Sequence, residues 1–252
     1  MTDQPSDAPS TMPPRGPRRS ARTWRSGSRT TRRWGTDLLA WAAVCVGLGL
    51  LLAAAVEAYL PRAPGEIVGT LVLVVAMAVS AVVALRRGRP RGLLELRPSD
   101  LLYGVALGLL LRIAEGSLAL AAGDSGALPA FATLDGEIPV VSVLTTALLS
   151  VLVAPVVEEL LFRGVVLVTV FRIARRGVDG ALLALVASTA AFVGLHAVTG
   201  MTRWDQPVTL SLVGLTCGIL VLTTGRIWGA VLVHAVFNAS YVVLAVVGTV
   251  LG

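Results

Sequence analysis

The chain has 252 residues, of which 55% are hydrophobic and only 14% charged, and its mean hydropathy is +0.81. That balance excludes an ordinary soluble domain and is the one found in polytopic membrane proteins. The net charge is +6 and every cation is arginine, but eight of the 21 arginines precede Gly35 and five more lie from Arg86 to Arg97. These are the flanks of apolar segments, where positive charge sets topology, so no nucleic-acid partner is expected.

Residues 1–35 ("MTDQPSDAPSTMPPRGPRRSARTWRSGSRTTRRWG") are rich in Pro, Ser, Thr and Arg. They are expected to form a disordered cytoplasmic tail lying against anionic lipid. The arginine pair of "TRRWGTDLLA" and the alanines Ala53–Ala55 imitate parts of a signal peptide, but the apolar run continues past them and further spans follow. Apolar segments then occur at roughly 38–60, 66–85, 100–122, 139–172, 180–198, 207–224 and 227–250. Most are near the ~20 residues that cross a bilayer as a helix. The fourth is too long for one simple crossing. Pro139 and Pro155 predict a short interfacial or re-entrant piece followed by a span from about Ser150 to Arg172. The fold class is therefore all-α, a helix bundle of about seven transmembrane helices over residues 36–252.

"RRGRPRGLLELR" (Arg86–Arg97) and "FRIARRG" (Phe171–Gly177) are expected on the cytoplasmic side, and the acidic loop with Asp124, Asp135 and Glu137 outside. This places a multi-pass protein in the cell membrane with its N-terminus in the cytoplasm and membrane lipid around it. Gly104–Gly108 and Gly214–Gly218 are GxxxG spacings that read as close helix packing within the bundle. Arg112 and Glu115, three apart, can pair on one helix face, and Glu57 reads as a residue reaching out of the first span. Cys45 and Cys217 lie in apolar runs and read as small buried hydrophobes.

Certain polar groups do not fit a greasy bundle. "VVEELLFRG" (Val156–Gly164) holds two adjacent glutamates and an arginine, and the chain's two histidines, His196 and His234, both lie in predicted spans. Ionisable groups at such depth are functional candidates by default. Glu158 and Glu159 point roughly 100° apart on a regular helix. Glu159 precedes Arg163 by four, the favoured order for an intrahelical pair, which leaves Glu158 freer for chemistry. His234 and Asn238 share a face, as do Phe192 and His196. Counted at 1.5 Å per residue from the cytoplasmic span ends, Glu158 lies roughly 20 Å deep, His196 roughly 25 Å, and His234 with Asn238 about 10–18 Å. Span ends and tilts are loose enough for these groups to share one layer. Two Glu, two His and an Asn in a dry pocket suit activation of water. Two His and one Glu also form a catalytic zinc ligand set, with the other Glu as base. A structural polar network linking helices is the alternative.

"EELLFRG", "FVGLH" and "HAVFN" resemble the three motifs EExxxR, FxxxH and HxxxN/D of the CAAX protease and bacteriocin-processing (CPBP) family, also called the Abi family. Each is matched without departure, in order and on separate spans, over roughly Pro139 to Ala245. The resemblance implies an intramembrane endopeptidase. It assigns catalysis to Glu158 acting with His196, and makes His234 and Asn238 further site residues, as metal ligands or as donors to the oxyanion. Glu159 belongs to the same set, with Arg163 as its structural ion partner. The ligand set for zinc would be Glu158, His196 and His234, with Asn238 a weaker fourth; direct activation of water by Glu and His stands beside it. The short chain and its arginine-only basic set favour a secreted peptide, a leader sequence or a membrane-anchored protein over a prenylated substrate. A non-catalytic membrane scaffold or bacteriocin self-immunity factor is the competing function. A small transporter is a third reading, with no inverted repeat in its favour.

Overall fold

The structure, a computed structural model, describes residues 23–131 and 140–251. Among these residues it is all-helical. Six helices are long and apolar enough to cross a membrane: α1 (Thr36–Tyr59), α2 (Arg62–Arg87), α3 (Pro98–Ala121), α7 (Gly177–Gly200), α8 (Asp205–Thr224) and α9 (Trp228–Leu251). Between α3 and α7 the chain is helical without interruption over 140–173, as α4 (Val140–Leu148), a π-helical stretch Leu149–Val153, α5 (Ala154–Glu159), a second π stretch Leu160–Leu167, and α6 (Val168–Ile173). This composite helix completes the bundle of about seven.

The fourth apolar segment thus differs from expectation: over the described residues it is one helix rather than a re-entrant piece and a span, and Pro139 lies outside them. The reason lies at Pro155. In π winding each N–H reaches five residues back, as Ala154 N–H does to Leu149 O. Pro155 has no N–H, so its ring orphans the Ser150 carbonyl, and the Asn238 amide of α9 fills that place, Nδ2 donating to Ser150 O at 2.8 Å. The helix passes through its proline because another helix supplies the missing donor.

Close contacts at glycine set the helix spacing. A Cβ on Gly104 would lie 2.4 Å from Leu232 Cβ, and one on Gly108 2.8 Å from Val236 Cβ, so both glycines of that pair face α9. Gly214 and Gly218 likewise meet Thr189 and Leu185 of α7. Both GxxxG spacings therefore serve packing inside the bundle. Arg112 pairs with Glu115, donates to Phe237 O at 2.7 Å and to Ser240 Oγ at 3.1 Å, and stacks on the Phe237 ring, which ties α3 to α9. Large apolar side chains on the outer faces, such as Leu51, Leu102, Leu182 and Val246, are exposed, as lipid-facing positions must be.

Of the tail expected to be disordered, residues 1–22 lie outside the described residues, and residues 23–35 pack on the bundle. Trp24 and Trp34 are buried. Trp24 Nε1 donates to Gly225 O at 2.8 Å, its ring meets Phe171 edge-on, and Arg25 reaches Leu222 O at 2.7 Å. Two indoles supply the apolar area that the composition of the tail conceals. They strap residues 23–35 across the end of the bundle where α6, α8 and α9 meet. That end carries most arginines. At the opposite end Arg203 bonds Asp124 Oδ2 at 2.8 Å, Asp205 Oδ1 at 2.9 Å and Ala119 O at 3.0 Å.

Candidate active site

Glu158 and Glu159 end α5, where the backbone opens into the second π stretch, while His196 projects from α7 and His234 from α9. Wide π turns inside α-helices cluster at functional sites because they redirect side chains that a regular turn would send elsewhere. Glu159 and Arg163 have no solvent exposure, and Glu159 Oε1 lies 3.0 Å from Arg163 Nη1. The N–H direction misses the oxygen, so this contact is mainly Coulombic. Arg163 instead directs Nη2 to Gly214 O at 3.2 Å, and its guanidinium lies over the Phe192 ring, 4.7 Å from the centroid.

Two ring nitrogens are fixed by acceptors. His234 Nδ1 donates to Glu159 Oε1 at 3.1 Å, and His196 Nδ1 donates to Phe192 O at 2.9 Å, since neither acceptor carries a hydrogen. The Nε2 atoms then face one target. Glu158 Oε2 is 3.9 Å from His196 Nε2 and 3.9 Å from His234 Nε2, and this buried oxygen has no hydrogen-bond partner. A water about 2.8 Å from each would bridge such a gap.

Four of the five expected catalytic residues, Glu158, Glu159, His196 and His234, meet in this cluster, with Arg163 beside them. Asn238 is held apart, its amide committed to Ser150 O. Phe192, whose spacing in the sequence predicts only a neighbour of His196, is a hub of the cluster. Its ring is 4.6 Å from His196, 5.6 Å from His234 and 5.4 Å from Phe162, centroid to centroid. The four-residue spacing in "FVGLH" was the signal for it.

His196, a donor type suited to zinc, with His234 and Glu158 makes the right chemistry for a metal. Their spacing is wider than such a site: donors at ~2.1 Å in a tetrahedron stand about 3.4 Å apart. Among the described residues no group of three His, Cys, Asp or Glu is arranged to hold a metal ion. As placed, the three donors do not fit zinc without moving inward.

A cavity of about 250 Å³ opens onto His196 from the end that carries Asp124 and Arg203, with Glu115, Asp205, Gln206 and Thr209 in its wall. The Thr209 hydroxyl is buried there without a partner. Beyond its mouth, the Arg203 hydrogen bond, with a further one from the Gly126 N–H, holds the Asp124 carboxyl below its ordinary value against the opposing effect of burial. The hydrogen bonds of Arg203 to Asp205 and then to Asp124 raise the guanidinium and keep it cationic.

Residues 140–240 match the family model described as Rce1-like, type II CAAX prenyl endopeptidase Rce1-like. No curated protein and no solved structure matches the chain. The matched segment holds all three motifs, α4 to α6, the whole of α7 and the part of α9 that bears His234 and Asn238. With apolar helices long enough to span a bilayer, the chain is a multi-pass membrane protein, and its residues 140–240 are similar to the Rce1-like type II CAAX prenyl endopeptidases.

Proposed function

We propose that the protein hydrolyses a peptide bond of a membrane-associated or secreted peptide with water activated by Glu158 and His196. The supporting observation is the unpartnered Glu158 Oε2 between two imidazole Nε2 atoms in a buried cluster. In this reading one water lies in the gap, its hydrogens directed to Glu158 Oε2 and His196 Nε2, which leaves a lone pair for attack. Glu158 takes the proton as the water oxygen bonds to the carbonyl carbon. The charges of Glu158, Glu159, Arg163 and His234 sum to zero when His234 holds a proton on each nitrogen. His234 Nε2–H then donates to the oxyanion while Glu159 holds Nδ1–H. As the C–N bond breaks, Glu158 returns its proton to the leaving amine.

The cavity onto His196 is the route for the peptide, and the arginine-rich end faces the cytoplasm.

The test compares membrane and secreted peptides from cells carrying the wild type, Glu158→Gln or His196→Ala. Each substitution is expected to lower cleavage by roughly 10²–10⁴-fold, with insertion and melting midpoint retained. Undiminished cleavage in both variants would overturn the assignment, and a loss of abundance in place of turnover would favour the scaffold reading. Metal content of the purified protein, with and without His234→Ala, reads zinc binding directly.

A further inference from the structure

Five guanidinium groups line one cleft at the arginine-rich end. Arg29 and Arg32 come from the strap, Arg172 from α6, and Arg175 and Arg176 from the turn into α7; together with Ser28 and Gly27 they bound a space of about 630 Å³. No carboxylate lines it. Arg172 is tied to Trp34 O, whereas Arg29, Arg32, Arg175 and Arg176 have no ion-pair partner among the described residues. Some arginines elsewhere do find acids, as Arg87 finds Asp37 and Arg203 finds Asp124 at the surface and Arg226 finds Asp100 in the interior. Gathering like charges without counter-charge is unfavourable unless an anion shares the site.

The backbone supports a built site. Arg175 and Arg176 both have positive φ, 61° and 64°, although neither is glycine. With ψ at −159°, Arg176 occupies a region that is nearly reserved for glycine, and such outliers persist where the surroundings or a ligand hold them. The Arg176 Nε is buried with no partner. Gly27, at φ +91°, lets the strap close over this side chain: a Cβ there would lie 3.4 Å from Arg176 Nη1.

We infer that the cleft binds the phosphate of an anionic phospholipid headgroup. Arginine forks match phosphate oxygens in bidentate geometry. The cleft sits at the ends of α1, α6 and α7; with these apolar helices in a bilayer that end would stand at headgroup level, so a lipid could present its phosphate while its chains stay against the helices. The site is separate from the Glu/His cluster and stands whether or not the proteolytic reading does.

The full-length protein, purified in neutral detergent and stripped of lipid, is titrated with phosphatidylglycerol, phosphatidylcholine or inorganic phosphate while melting is followed, and bound lipid is counted by native mass spectrometry. Phosphatidylglycerol is expected to raise the midpoint saturably and to remain bound at low stoichiometry. Arg29→Gln/Arg32→Gln and, separately, Arg176→Gln should weaken half-saturation by roughly tenfold or more. Arg89→Gln/Arg91→Gln, on the same end but outside the cleft, should leave it unchanged. Arg29→Lys/Arg32→Lys, which keeps the charge, should retain folding with intermediate affinity. Equal response to phosphatidylcholine, equal loss in the Arg89/Arg91 control, or full reproduction of the effect by inorganic phosphate would each overturn the headgroup assignment.

Discussion

Glu158 and Glu159 are chemically identical neighbours with different surroundings. Glu159 lies between the guanidinium of Arg163 and the Nδ1–H of His234, whereas one Glu158 oxygen meets only two nitrogens across 3.9 Å gaps. A buried ion pair broken from one side leaves its partner as an uncompensated charge, which costs about 3–5 kcal/mol. Glu159→Gln is therefore expected to lower the melting midpoint and the amount of protein in the membrane, in contrast to Glu158→Gln. Matching melting curves for the two variants would show that Arg163 does not depend on Glu159. Adjacency made the glutamates conspicuous in sequence, and the spacing to Arg163 anticipated which one is paired. That Glu159 also receives His234 was not legible, because no local rule links positions 75 residues apart.

At the scale of the element, the helix that carries both glutamates depends on α9. Asn238 donates to the Ser150 carbonyl that Pro155 leaves without a donor. Asn238→Ala should orphan that part-buried carbonyl at a cost of about 1 kcal/mol and reduce kcat by displacing Glu158. Pro155→Ala restores a backbone N–H, so the double variant should recover stability relative to Asn238→Ala alone. Additive losses in that double-mutant cycle would break the proposed link. Packing of α3 on α9 sets the other coordinate. Gly108→Ala brings a methyl group to 2.9 Å from the Val233 carbonyl oxygen beside His234, and overpacking of this kind costs about 1–3 kcal/mol. Gly116→Ala on the same helix meets nothing within 4 Å and should be neutral in melting assays. A Gly108→Ala protein as stable and active as Gly116→Ala would mean that this contact does not position α9.

Across the whole molecule, charge is sorted by end. Arginines gather where the strap crosses α6, α8 and α9, and the Asp124–Arg203–Asp205 lock closes the opposite end beside the cavity to His196. Arg203 lowers the Asp124 carboxyl in the folded protein, so the lock contributes its full stability above the ordinary carboxylate value and loses it as pH falls through the depressed one. Wild type should melt above Asp124→Asn at neutral pH, and the difference should shrink towards zero in acid. A gap independent of pH would show that Asp124 acts by shape and not by charge.

The class of the protein is legible in its residues alone: apolar run lengths dictate a helical membrane bundle, and arginine flanks distinguish its ends. Glutamates and histidines confined to spans nominated the site, because such groups are costly there without partners. Their surroundings come from long-range packing. It joined His234 to Glu159, set both Nε2 atoms on Glu158, gave Asn238 to Ser150 and buried Trp24 and Trp34 in a strap that composition reads as disordered. Each of these is a contact between distant segments, fixed by helix packing and π winding, and local periodicity carries no record of it. Those contacts explain two carboxylates and an arginine in a greasy run: one carboxylate neutralises the arginine, and the other is left facing two imidazoles.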